Sequence, residues 1–202
     1  MKYSVISLIL LFIFIGCNNY TPEQKEYIAQ IEKERIEKDD YMKSDPYSPF
    51  NQEPKVKFEP LKYFKIDPSF VFKSKLIEFA TKDTVIISGT KGEERIVLKY
   101  GFVTFNLNKN EYKMVVYEGT SKSGEKYHSL WFTDLTTNEE TYGVGRYLDF
   151  ELNGDKDFIY TIDFNKAYNP YCAYSSKYSC AIPTKDDFLP IRIEAGEMKF
   201  HN

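Results

Sequence analysis

Cysteine, histidine and tryptophan are scarce: the 202 residues include 3 Cys, 2 His and 1 Trp. No Cys-x-x-Cys or His-x-x-x-His pair occurs, so zinc could be held only by Cys172, Cys180, His128 and a carboxylate, a spacing that does not define a site. A basic excess is also lacking. Lys and Arg total 27 against 30 Asp and Glu, and a net charge of −3 provides no positive field for nucleic acid. The longest apolar run, Val5 to Ile15, is too short to span a bilayer comfortably. There is no strand–helix alternation, no convincing internal repeat and no dinucleotide fingerprint, since the lone Gly143-Val144-Gly145 opens no helical pattern. No cofactor is expected, and no catalytic signature names a reaction.

What the chain has in excess is aromatics, 17% of residues, accompanied by Val, Ile and Thr, which favour strands. Strand-like segments recur at Leu61 to Ile66, Phe70 to Phe79, Thr84 to Ser88, Arg95 to Leu107, Tyr112 to Glu118, Glu125 to Phe132, Tyr142 to Leu152 and Phe158 to Phe164. Between them lie turn signals at Lys91-Gly92, Asn108-Lys109-Asn110, Ser121 to Gly124, Thr137-Asn138 and Asn153-Gly154. The expected fold class is mainly β, an antiparallel barrel or sandwich with an N-terminal helical stalk.

The N-terminus carries the clearest functional signal. Lys2, the apolar run and Phe14-Ile15-Gly16-Cys17 resemble a bacterial lipoprotein signal peptide and its box, with Phe14 where leucine is usual. The resemblance implies removal of residues 1–16, lipidation of Cys17 and a cell-envelope location on a bacterial membrane, facing periplasm or exterior. Several acyl chains on one cysteine anchor a protein stably, at about 0.8 kcal/mol per buried CH₂. Residues 17–44 then form a charged helical stalk. Thr21-Pro22-Glu23-Gln24 has the form of a capping box with proline at the first helical position. Glu32 to Asp40 is almost wholly charged, so a solvated spacer is expected, although Tyr27, Ile28 and Ile31 make a short stripe that could pack. Residues 45–60, with Pro46, Pro49, Pro54 and Pro60, form an extended connector or strap. The β-rich domain occupies 61–202.

The densest group of unusual residues is Tyr160 to Pro183. Phe158, Tyr160, Ile162 and Phe164 alternate with polar or exposed positions, which puts Asp163 and Asn165 on the face opposite the aromatics. Asn169-Pro170 ends regular structure, and a loop follows with Cys172, Tyr174, Tyr178 and Cys180. In an exported protein the pair Cys172 and Cys180 most simply forms a disulfide, stabilising by about 2–3 kcal/mol on the chain-entropy model. Two buried thiols are the next alternative.

DFNKAYNPYCAYSSKYSC followed by proline resembles the signature of domain-of-unknown-function family 1684, found in bacterial envelope lipoproteins and other prokaryotic proteins. The resemblance extends through FTDLTTNEETYGVGRYLDF (Phe132 to Phe150) and IEAGE (Ile193 to Glu197), covering most of the chain after Pro60. Where the family continues with a proline-rich Cys-Pro-x-Pro-Pro run and a Glu-Asn pair, this chain has Cys180-Ala181-Ile182-Pro183-Thr184 and Asp186-Asp187. The resemblance implies no activity.

Arg146, Asp163, Asn165, Asn169, Tyr174 and Glu197 are the candidate ligand-binding residues, because an arginine can grip a carboxylate or phosphate in two places. Arg146 could instead pair internally with Asp149 or Asp163. Asp163 and Glu197 would suit acid–base work if a few ångströms apart. The acidic run Asp149 to Asp157 is a hairpin rather than a calcium loop on the strength of Asn153-Gly154. Tyrosines and Trp131 could stack on sugars, though aromatics at strand spacing usually form core. Three functions follow as expectations: binding of a small molecule, glycan or envelope partner beside Arg146, Asp163 and the cysteine loop; hydrolysis using Asp163 and Glu197 or a metal near His128; or a purely structural envelope role.

Overall fold

A computed structural model describes residues 20–121 and 123–201. The expected signal peptide and Cys17 lie outside the described residues. Helix α1 is Pro22–Ser44, and its capping box is present: Gln24 N–H donates to Thr21 Oγ1 at 3.2 Å while Thr21 N–H donates to Gln24 Oε1 at 3.0 Å. Its 23 residues run about 35 Å.

α1 is not a solvated spacer. It lies on the β domain through one face made by Tyr27, Ile31, Arg35, Lys38 and Met42, spaced by four or three residues as one helical face requires. Ile31 and Met42 are fully buried, but much of the contact is polar. Arg35 Nη1 donates to Phe64 O at 2.9 Å, Lys38 Nζ meets Glu197 Oε2 at 3.1 Å, and Leu61 N–H donates to Asp39 Oδ1 at 3.2 Å. Charged residues on a docked face are what made the helix resemble a free stalk. The following segment is a strap: Phe50 is buried with its ring 5.2 Å from Phe58, 5.4 Å from Tyr174 and 5.1 Å from Phe200.

The domain is mainly β. Its strands are β1 (Val71–Lys75), β2 (Ile77–Glu78), β3 (Thr84–Ser88), β4 (Glu94–Leu107), β5 (Asn110–Thr120), β6 (Lys126–Asp134), β7 (Arg146–Asp149), β8 (Ile159–Asp163) and β9 (Phe188–Leu189). The main sheet runs β2-β4-β5-β6-β7, with β3 also on β4 and a two-residue parallel pairing of β9 on β6. The pairings between the other named strands are antiparallel. β1 and β8 form a separate ribbon, and among the described residues no path through the pairings closes a barrel. The core lies between this ribbon and the main sheet: Tyr160, Ile162 and Phe164 meet Val103, Phe105, Met114, Val116, Leu130 and Phe132.

Turn chemistry explains the long hairpin. Asn108 and Lys109 both have positive φ, 52° and 66°, as a two-residue turn matched to strand twist requires. Elsewhere the sequence expectation gives way. Leu61 to Ile66 contributes only a bridge from Tyr63 to Glu197. Phe70 to Phe79 divides at Leu76 into β1 and β2, which join different sheets, and Tyr142 to Leu152 shortens to β7. Asn153-Gly154 makes no hairpin, because β7 pairs with β6 while β8 pairs with β1. Asn153 and Asp155 serve the loop itself: Asn153 Oδ1 accepts from Asp155 N–H at 2.8 Å and Asp155 Oδ1 from Asp157 N–H at 2.9 Å, while the Asp157 carboxylate pairs with Lys75 of β1. Among the described residues no helix is long and apolar enough to cross a membrane.

Candidate functional site

The six candidate ligand-binding residues are all buried, between 0 and 7% exposed. β7 begins at Arg146, whose guanidinium donates to Ala195 O, to Ile193 O at 2.8 Å and to Asp134 Oδ1 at 3.4 Å, and lies 5.1 Å from the Phe132 ring centroid. Its ionic partner is therefore Asp134, neither Asp149 nor Asp163. Burial pulls the Arg146 guanidinium below its usual range, with Asp134 opposing.

Asp163 and Asn165 do not share an outward face. A tight 3-10 turn at Phe164–Lys166 ends the strand period, and Asp163 caps it by accepting Asn165 N–H at 3.0 Å. Asp163 also takes the Tyr27 hydroxyl, while Asn165 pairs with the Asp67 backbone in both directions, Oδ1 accepting at 2.9 Å and Nδ2 donating at 2.8 Å. Glu197 collects Lys38 Nζ, Asn169 N–H at 3.0 Å and the Tyr174 hydroxyl. Asn169 Nδ2 donates to Met198 O at 2.8 Å. Asp163 and Glu197 thus serve different partners. These groups join α1, the 164–174 segment and the C-terminal segment into one polar seam.

Beside this seam is a cleft of about 1090 Å³ between α1 and the β6–β7 side of the sheet. Asn165 and Asn169 form part of its wall, as do Trp131, Tyr147 and Tyr168. Its accessible equipment is a rim: Tyr41 from α1, Lys126 and Tyr127 from β6, Asp149 from the end of β7, Lys166, and Tyr171. Tyr168 donates to Asp149 Oδ1 at 2.5 Å, and Tyr41 and Tyr171 hydroxyls stand 3.4 Å apart. Trp131 stacks on Tyr117 at 4.7 Å and is core at the cleft wall. Burial raises the Tyr147 and Tyr168 phenols above their ordinary range, with nearby Asp149 adding to the effect on Tyr168.

His128 is occupied by Glu118, with Nε2 3.1 Å from Oε2, and its ring lies 4.9 Å from Tyr100. Among the described residues no three His, Cys, Asp or Glu side chains group as a metal site. Cys172 and Cys180 are thiols rather than the expected disulfide, with Cys172 N–H donating to Cys180 Sγ at 3.3 Å. A hydrogen bond from the Cys180 thiol is the largest influence lowering Cys172, and the same bond with burial raises Cys180.

Sequence reading offered packing of α1 only as the alternative to a solvated spacer, and did not disclose its contribution to seam and cleft. Its available signal was the Tyr27, Ile31 spacing, which the charge of Glu32 to Asp40 masked. It also missed the rim residues Tyr41, Lys126 and Tyr127, which carry no motif.

Comparison with known structures finds similarity to the solution NMR structure of an uncharacterized protein of Haloarcula marismortui. The TM-score is 0.64 at 26% identity, covering 87% of this chain and 96% of the other. No curated protein matches this chain significantly. The model of the family described as "Protein of unknown function (DUF1684)" matches residues 56–198, from the strap through Glu197 to Met198, and the chain belongs to that family.

Proposed function

We propose that this is a lipid-anchored cell-envelope protein with an open, sandwich-like β domain, binding a small molecule or glycan in the cleft between α1 and β6–β7. The observation that carries this reading is the cleft's size and lining: about 1090 Å³, near the upper end of small-ligand sites, with tyrosines and lysines at its rim. Tyrosine faces stack on sugar or heterocycle rings, and Lys126 and Lys166 can meet an anionic substituent, although each already faces a carboxylate, Glu118 and Glu34. The anchor part rests on the Cys17 motif alone.

Binding through the cleft also accounts for the buried seam as support for its walls. Hydrolysis by Asp163 and Glu197 is not favoured, since both carboxylates are buried and already engaged. The test uses Trp131, the sole tryptophan, as a reporter at the cleft wall. A glycan and metabolite panel should include a compound that changes its emission saturably and raises the melting temperature, with both effects weakened at least about tenfold by Tyr127→Ala. A panel without such a compound, or binding unaffected by Tyr127→Ala and Tyr41→Ala, would sink the cleft reading. Mass analysis of the native membrane-extracted chain tests the anchor: it should begin at an acylated Cys17.

A further inference from the structure

Cys180 is held on both sides against the turn joining β3 to β4. Its N–H donates to Thr90 Oγ1 at 3.1 Å, its carbonyl accepts Thr90 N–H at 3.0 Å, and Ile182 N–H donates to Ser88 O at 2.9 Å. Cys180 is buried, at the cleft wall. Cys172 sits in the 3-10 turn Tyr171–Ala173, half-buried, with its carbonyl receiving the Tyr142 hydroxyl at 3.2 Å. The same hydroxyl reaches Cys172 Sγ at 3.8 Å, and Cys172 N–H points at Cys180 Sγ. Cys172 is thus the more exposed of the two and has the Tyr142 hydroxyl beside its sulfur, while Cys180 is buried, accepts the Cys172 N–H on its sulfur and is fixed by its backbone. Such an asymmetric pair separates an attacking thiol from a resolving one.

We propose that Cys172 and Cys180 form a redox-active dithiol that exchanges with a low-molecular-weight organic disulfide, Cys172 attacking and Cys180 resolving. The Cys172 thiolate attacks one sulfur of the disulfide; the new S–S bond forms as the old one breaks, and the first thiolate leaves and takes up a proton. Cys180, on losing its proton to solvent, then attacks Cys172 Sγ and expels the second thiolate, which is protonated in turn. The protein dithiol is oxidised by two electrons and the small disulfide is reduced to two thiols. The titratable groups facing the sulfurs are Tyr142, Tyr147 and Arg95, and the hydrogen bond from Cys180 favours the Cys172 thiolate. Cys180, Arg95 and Tyr147 also line the cleft, but the exchange needs no cleft ligand, and its test reads sulfur chemistry alone.

The test is glutathione exchange on the full chain carrying Cys17→Ser, followed by alkylation and residue-resolved peptide mass mapping. Oxidised glutathione should close Cys172 to Cys180, and excess reduced glutathione should reopen it without denaturant. Cys180→Ser should trap glutathione on Cys172, whereas Cys172→Ser should form an adduct at Cys180 at least about tenfold more slowly. No adduct on folded Cys180→Ser, equal rates at the two cysteines, or a disulfide that resists reduced glutathione would overturn the proposal. If either variant fails to fold, the chain with both thiols intact decides. Iodoacetamide should label Cys172 first, with a pH midpoint below the free-thiol value of about 8.5. Labelling of Cys180 first, or a midpoint at or above the free value, counts against it equally.

Discussion

Tyr27 Oη donates to both carboxylate oxygens of Asp163, at 2.8 and 2.9 Å, joining the first helix to the end of β8 across 136 sequence positions. Asp163 is buried and, among the described residues, keeps only Asn165 as a further donor. A hydrogen bond to a charged acceptor contributes about 1.5–3 kcal/mol, so Tyr27→Phe should lower unfolding free energy by about that amount. Urea unfolding measures it. Faster proteolysis within Pro22–Ser44 should accompany the change, because the bond holds the helix rather than the sheet core.

Glu197 provides a sharper contrast between two substitutions. Its carboxylate is buried with the Lys38 ammonium, Asn169 N–H and the Tyr174 hydroxyl. Glu197→Ala leaves all three donors without their acceptor and should cost about 3–5 kcal/mol. Glu197→Gln keeps an acceptor oxygen but loses the charge, and should cost less than half as much. Equal melting temperatures for the two variants would contradict this account.

Alkali should unfold the protein through its phenols. Burial raises Tyr63, Tyr147, Tyr168 and Tyr174 above the ordinary value of about 10, with Glu197 adding to Tyr63 and Tyr174. Below pH 10 folded and unfolded chains bind these protons equally. Above it the unfolded chain releases protons that the folded one retains, so stability falls as pH rises, by up to about 1.4 kcal/mol per pH unit for each fully shifted tyrosine. Phenolate absorbance should therefore rise in two stages, the second coinciding with loss of circular dichroism. A single transition near pH 10 with the fold intact would refute the burial assignment.

What the sequence disclosed follows from local physics. The Thr21 capping box is decided by neighbours in the chain and stands where it was expected; the turn expected at Asn108-Lys109-Asn110 narrows to Asn108-Lys109, and of the alternation expected from Phe158 to Phe164 the strand keeps Tyr160 and Ile162. The expected hairpin at Asn153-Gly154 failed for a tertiary reason: β8 has a better partner in β1, about ninety residues earlier, and its buried face belongs to the ribbon. The candidate site followed the same division. Arg146, Asp163, Asn169 and Glu197 were recognisable as unusual residues, but a polar residue looks alike in sequence whether it faces solvent or closes a buried seam. The partners that decide between the two, Asp134, Tyr27 and Lys38, are distant in sequence or conservative in appearance.

Arg146 gives the most discriminating variant, because a surface ligand grip and an internal tie predict opposite readouts. A surface arginine replaced by alanine should lose binding and keep its stability. Here the guanidinium donates to the carbonyls of Ile193 and Ala195 and faces Asp134, itself buried. Arg146→Ala leaves the Asp134 charge without its cation and two carbonyls without donors, at a cost of about 3–5 kcal/mol. Asp134 retains Ile193 N–H at 2.7 Å and the Thr136 hydroxyl, which keeps the loss toward the lower end of that range. Arg146→Lys preserves the charge but cannot reproduce a planar fork reaching several acceptors, and should fall between wild type and alanine. Urea midpoints in the order wild type, lysine, alanine support the internal tie. An alanine variant as stable as wild type would return Arg146 to the ligand face.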